Sequence, residues 1–248
     1  MGKVYLVGAG PGAPDLLTLR AARLLAQADI VFHDALVHPE TLALAAKAKK
    51  VAVGKRCGRI STDQRFINRC LVEAASRHDT VLRLKGGDPM LFGRAQEEID
   101  ALSAAGVPWE VVPGVTAALA AASQLGVSLT RRGLSRSVAF ATPRTGAQER
   151  AASWAQSVAA ADTAVLYMGA GQVAEVAAAL IAAGVPRERP VAMVEHASLP
   201  GSREVRTTLE GLGRAGEWNL DGPAIIMLGE VLAAAALAAD ATLLAAAG

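Results

Sequence analysis

Short apolar runs alternate with segments of helical period along most of this chain. Residues 4–7 (VYLV) read as a strand, and residues 16–28 as a helix with Leu17, Ala21, Leu24 and Ala28 at helical spacing. Residues 29–32 and 51–53 follow as strands. Ser61, with Gln64 three residues on, offers a capping box for a helix running to about Arg77. Residues 80–84 form a strand, 94–105 a helix and 109–112 another strand. After a helix over 115–125 and a polar, basic stretch at 130–136, the alternation restarts. Strands are expected at 138–141, 164–167, 191–194, 203–207 and 224–228, with helices at 149–159 and 173–182 between them. Strands joined through helices pair in parallel, so the pattern predicts an α/β fold built on largely parallel, doubly wound sheets. The interruption near Gly114 divides it into two α/β domains, 1–113 and 114–248, with a cleft between them.

Bulk chemistry excludes several classes of function. An apolar fraction of 52% over 248 residues is ample for a buried core and argues against disorder. A formal net charge of +2 is too small for a chain that binds nucleic acid through phosphate neutralisation. The two cysteines, Cys57 and Cys70, have no metal-ligand spacing, so neither a disulfide framework nor a zinc site is expected, and no metal is assigned. The first strand begins at once, which leaves no room for a signal peptide. The alanine-rich stretch after Glu230 contains Asp240 and reads as a terminal helix or frayed end rather than a membrane span. The expected compartment is the cytoplasm, with no membrane partner.

The chemistry concentrates in the loops that follow strands. The first reads Gly8-Ala9-Gly10-Pro11-Gly12-Ala13, where glycines let backbone approach a ligand at the carboxyl end of a strand. Its spacing also matches a dinucleotide fingerprint, and Asp34 closes the second strand where a ribose-binding acid would lie, so a nicotinamide or flavin oxidoreductase is the rival reading. The second, Arg83 to Arg94 (RLKGGDPMLFGR), is a long shaped loop that a dinucleotide fold does not require. Its Asp88 suits a cationic or hydroxyl-bearing ligand. The third is Val111-Val112-Pro113-Gly114-Val115-Thr116-Ala117-Ala118, with Thr116 as a candidate helix cap. Tyr167-Met168-Gly169, Val194-Glu195-His196-Ala197 and Gly222-Pro223-Ala224 are three more.

Taken in order, these loops resemble the tetrapyrrole methylase family. The resemblance rests on residues 4–37, 53–58 (VGKRCG), 82–98 (LRLKGGDPMLFGRAQEE), 111–118 (VVPGVTAA), 167–169 (YMG) and 222–228 (GPAIIML). It implies two αβα domains with S-adenosylmethionine in the cleft between them, a homodimer, and S-adenosylhomocysteine as product. It further implies methylation of uroporphyrinogen III at C2 and C7 to give precorrin-2, on the route to sirohaem and cobalamin. Carried over by position, the cofactor contacts would be Pro11, Gly86, Gly87, Asp88, Leu91, Thr116, Ala117, Met168, Ala197 and Ala224. Asp34 falls where the family has a proposed proton acceptor, and Lys55 where it has a proposed donor.

These assignments agree with the chemistry. A pyrrole carbon that gains a methyl group leaves the ring cationic, so a base such as Asp34 is useful. The rival role for Asp34 is to cap its own turn. Arg94 and Glu97, one helical turn apart, form a second candidate catalytic pair. The substrate carries eight carboxylates, which arginine forks suit. Lys55, Arg56 and Arg59, with Arg131, Arg132 and Arg136, are the candidates, against the reading of solvated loop charge. One departure from the family is Thr142-Pro143-Arg144, where many relatives carry Thr-Gly-His. Some relatives carry an extra domain that oxidises precorrin-2 and inserts iron. This chain is expected to hand precorrin-2 to a separate oxidase/chelatase. Other readings are a different precorrin methylase, a relative acting on RNA or a protein, and a non-catalytic sensor.

Overall fold

The computed structural model describes residues 1–53, 64–144, 154–214, 220 and 222–233. Two compact units divide between Ala117 and Ala118.

The first unit holds β1 (Lys3–Gly8), α1 (Leu19–Gln27), β2 (Ile30–His33), α2 (Pro39–Ala43), β3 (Lys49–Ala52), α3 (Gln64–Ala75), β4 (Thr80–Lys85), α4 (Ala95–Ala104) and β5 (Trp109–Val112). Its sheet runs β3-β2-β4-β1-β5 and is parallel throughout. Alternate residues feed opposite faces. Val4, Leu6 and Val81 pack with Ile67 and Leu71 of α3 and Ile99 and Leu102 of α4. Val7, Leu82 and Leu84 pack with Ala21 and Leu25 of α1. The first helix starts later than its periodicity suggests. A 3-10 turn occupies Pro14–Leu16, and the Thr18 hydroxyl then accepts the Ala21 N–H at 3.1 Å as an N-cap. The Ser61 cap lies outside the described residues.

The second unit holds most of α5 (Ala117–Gln124), then β6 (Val138–Ala141), α6 (Trp154–Ala160), β7 (Thr163–Leu166), α7 (Val173–Ala182), β8 (Pro190–Glu195), β9 (Arg203–Thr208), α8 (Leu209–Leu212) and β10 (Ala224–Gly229). Its sheet runs β6-β7-β10-β8-β9 and is mixed rather than largely parallel. Only β6 and β7 pair in parallel; β10 runs antiparallel to both β7 and β8, and β8 and β9 form an antiparallel pair. The link from β8 to β9 is too short for a crossover helix, so that pair must be antiparallel. Every residue of β10 is buried, as a central strand covered on both faces should be. Among the described residues, no helix is long and apolar enough to cross a membrane.

Candidate functional site

The chain leaves β1 toward β2 and leaves β4 toward β5, crossing the sheet in opposite directions between adjacent strands. In open α/β sheets such a switch point marks the ligand crevice, here at the carboxyl ends of β1 and β4. The first and second glycine loops begin there. They are joined edge to edge: the Gly87 N–H donates to the Gly10 carbonyl at 2.7 Å and the Gly10 N–H to the Gly87 carbonyl at 3.2 Å. Both residues need glycine, with φ of +72° at Gly10 and +67° at Gly87.

The third loop packs beneath this joint. A Cβ on Gly8 would lie 2.6 Å from the Gly114 Cα, and one on Gly114 would collide with the Gly87 carbonyl oxygen. Gly8 and Gly114 therefore serve the contact of loop with loop rather than of loop with ligand. Asp88 locks the arrangement. Its Oδ2 accepts the Gly114 N–H at 2.9 Å and its Oδ1 the Met90 N–H at 2.8 Å. Its carboxylate thus ties two loops together, a role its sequence position does not disclose. Pro11, Gly86, Gly87, Asp88, Leu91, Thr116 and Ala117 are all half-buried around this joint.

Asp34 ends β2 on the same edge, with its N–H donating to the Leu84 carbonyl at 3.3 Å. Its side chain does not cap the turn. Oδ1 instead accepts from Arg83 Nη2 at 2.6 Å, with Asp34 28% and Arg83 3% exposed. Arg83 Nε donates to Glu98 Oε1 at 2.9 Å, and Lys85 Nζ lies 2.9 Å from both Glu98 oxygens. Gln64 Nε2 adds a fourth contact to the Glu98 carboxylate, donating to Oε1 at 3.2 Å. Burial opposes the charge on Arg83, but Asp34 and Glu98 more than offset it and raise its pKa. Burial and the neighbouring Arg83 guanidinium push the Lys85 ammonium below its usual range despite Glu98. This buried network was not anticipated. Its signal was present: Arg83 and Lys85 are two apart in a strand and so share the face that α4 covers.

The other expected residues divide by location. Arg94 and Glu97 pair with each other through two bonds of 2.7 and 2.8 Å, both more than half or nearly half exposed. In the second unit, Met168 follows β7, Ala197 follows β8 and Ala224 opens the antiparallel β10, so all three lie on one edge of that sheet. Met168 is exposed with φ of +58°, whereas Ala197 and Ala224 are buried and offer backbone. Buried Glu195 shapes this edge: Oε1 accepts the Gly222 N–H at 2.7 Å and Oε2 accepts from Arg203 Nε at 2.7 Å. The Tyr167 hydroxyl accepts the Ala118 N–H at 3.3 Å near the start of α5. Arg131, Arg132 and Arg136 are exposed and precede β6, at the opposite edge of the sheet from Met168, Ala197 and Ala224. The structure does not bring them to that edge. Thr142 Oγ1 accepts the Arg144 N–H at 3.2 Å in a local turn. Lys55, Arg56 and Arg59 lie outside the described residues. Among the described residues, no group of three or more His, Cys, Asp or Glu is placed to hold a metal ion.

The profile of the Tetrapyrrole (Corrin/Porphyrin) Methylases matches residues 3–213. A uroporphyrinogen-III C-methyltransferase of Pseudomonas aeruginosa is 46% identical over 231 residues, 93% of this chain and 94% of that protein. A siroheme synthase of Pseudomonas paraeruginosa is 44% identical over 93% of this chain but only 50% of its own length, so the chain spans about half of that relative. Among solved structures, the uroporphyrin-III C-methyltransferase of Thermus thermophilus complexed with S-adenyl homocysteine superposes with a TM-score of 0.84 at 42% identity, covering 94% of this chain and 100% of that one. A cobalt precorrin-4 methyltransferase superposes with a TM-score of 0.82 at 29% identity, covering 93% and 95%.

Proposed function

The chain belongs to the tetrapyrrole methylase family, and on that premise we propose that it transfers methyl groups from S-adenosylmethionine to C2 and C7 of uroporphyrinogen III, giving precorrin-2. The observation that carries this reading is the 46% identity to a uroporphyrinogen-III C-methyltransferase over nearly the full length of both chains. The glycine loops of the match meet at one crevice.

The residues present fit a nucleoside ligand. At the joint, a Cβ on Gly10 would meet nothing nearer than 3.4 Å and one on Gly87 nothing nearer than 3.9 Å, and the residues around it are half-buried. Pro11, Gly86, Gly87, Asp88, Leu91, Thr116, Ala117, Met168, Ala197 and Ala224 are the proposed cofactor contacts. When bound, S-adenosylmethionine supplies an electrophilic methyl group on a sulfonium sulfur. The remaining work falls to the chain's own groups. They hold the pyrrole carbon in line and exclude water. As the new carbon–methyl bond forms, the ring becomes cationic, and a proton must pass to a base. Asp34 is the proposed acceptor, since its partly exposed carboxylate closes a strand beside the crevice. Lys55 is the proposed donor. Arg94 and Glu97 are the proposed alternative pair, and Arg56 the proposed contact for a substrate carboxylate. We further propose a cytoplasmic homodimer whose product passes to a downstream oxidase/chelatase. The match to half of a siroheme synthase supports a link to sirohaem formation.

The test is an anaerobic assay with uroporphyrinogen III and S-adenosylmethionine, followed by mass spectrometry of the tetrapyrrole. A gain of two methyl groups, absent without either substrate, is expected. No gain while S-adenosylmethionine still binds would overturn the substrate and turn attention to later precorrins.

A further inference from the structure

We propose that Arg83 is a positioning residue that fixes the carboxylate of Asp34, with Glu98 and Lys85 as its rigid backing. The proposal rests on the reading of Asp34 as proton acceptor.

Arg83 has every guanidinium nitrogen committed. Nη2 donates to Asp34 Oδ1 at 2.6 Å, Nε to Glu98 Oε1 at 2.9 Å and Nη1 to the Leu84 carbonyl at 3.1 Å. Three directions in one plane leave the fork no freedom to turn. Its backing is equally fixed. Glu98 is fully buried on α4, and both of its oxygens accept from Lys85 at 2.9 Å while Gln64 holds Oε1. The four charges sum to zero. A buried ion network of this kind is seldom the most stable filling for its volume; well-packed apolar residues often do as well or better. Asp34 is its only member that reaches solvent to any extent, with 28% of its side chain exposed against 4% or less for the others. Of the two Asp34 carboxylate oxygens, only Oδ1 has a hydrogen-bond partner among the described residues. The network thus ends in one carboxylate oxygen presented at the strand edge beside the glycine loops.

Placement of a reacting group to within about an ångström is worth on the order of 100-fold in rate. The experiment measures kcat and KM for Arg83→Gln, Arg83→Lys, Asp34→Asn and the double variant Asp34→Asn/Arg83→Gln, with circular dichroism as the check on folding. Arg83→Gln should lower kcat by about 100-fold with little change in KM for either substrate. Arg83→Lys, which keeps the charge and loses the fork, should fall between it and the parent. In the Asp34→Asn background, Arg83→Gln should cause no further loss, because the group it positions is gone. An equal loss in both backgrounds, or an unchanged kcat, overturns the positioning role. An Asp34→Asn enzyme as active as the parent overturns the acceptor reading itself, and the positioning role with it. Should Arg83→Gln not fold, Arg83→Lys carries the same comparison in both backgrounds.

Discussion

Gly114→Ala is the sharpest test of how the crevice is built. The added Cβ would collide with the Gly87 carbonyl oxygen and lie 2.8 Å from the Gly8 Cα. Both neighbours are backbone, and both belong to loops already tied by the Gly10–Gly87 bridge. Neither can swing aside as a side chain could. Overpacking of this sort costs about 1–3 kcal/mol. The third loop would also be pushed off the Asp88 carboxylate, which accepts the Gly114 N–H at 2.9 Å. A hydrogen bond to a charged acceptor contributes about 1.5–3 kcal/mol. Together the loss should be about 2.5–6 kcal/mol. Urea unfolding followed by circular dichroism measures it, and titration with S-adenosylmethionine should show at least a tenfold weaker affinity. Two controls set the scale. Gly106 has φ of +66° with open space around it, so Gly106→Ala should cost about 1–2 kcal/mol from backbone conformation alone. Gly171 has open space and no positive φ, so its replacement by alanine should be neutral or stabilise by about 0.4–1 kcal/mol. If Gly114→Ala lost less than Gly106→Ala and bound S-adenosylmethionine normally, the loops could not be packed as described.

Other consequences follow from the same contacts. Glu98→Ala leaves Arg83 and Lys85 buried without their shared carboxylate and should lose about 3–5 kcal/mol by thermal or urea unfolding; a loss under 1 kcal/mol would contradict the burial of the network. Tyr167→Phe removes the hydroxyl that accepts the Ala118 N–H and should lose about 0.5–1.5 kcal/mol, read by the same melts. The Arg136 N–H, then the Ser137 hydroxyl and N–H, hold the Asp162 carboxyl below its ordinary value of 3.8. An acid whose pKa is depressed on folding adds stability above its unfolded value, and that increment is lost as pH falls through the folded value. Asp162→Asn should therefore flatten the fall in stability below pH 3.8, and an unchanged acid limb would count against those contacts.

Much of the architecture is legible from side-chain order because its causes are local. A period of two or of 3.6 is set by backbone geometry, so the strands at 4–7 and 80–84 and the helix at 173–182 stand out before any contact is known. Glycine at positions 10 and 87 is likewise a local demand, since positive φ strains any other residue there. The order of loops along the chain was enough to identify the family. Other features depend on partners distant in sequence. Periodicity identifies β10 as a strand but not its direction, and pairing with β7 and β8 makes it antiparallel. Short α2 and α8 carry too few turns for a periodic signal. Asp88 could be recognised as part of a ligand loop, yet its two backbone donors come from its own loop and from the strand end at Gly114. The arginines at 131, 132 and 136 have the right charge, but strand direction sets them at the edge away from Met168, Ala197 and Ala224. Above all, the alternation in β4 puts Arg83 and Lys85 on one face. Only the packing of α4 against that face brings Glu98 to them and leaves Asp34 as the open end of a buried chain of charge. A strand's period determines which way a side chain points; what it meets there is decided by a helix that the chain reaches only later.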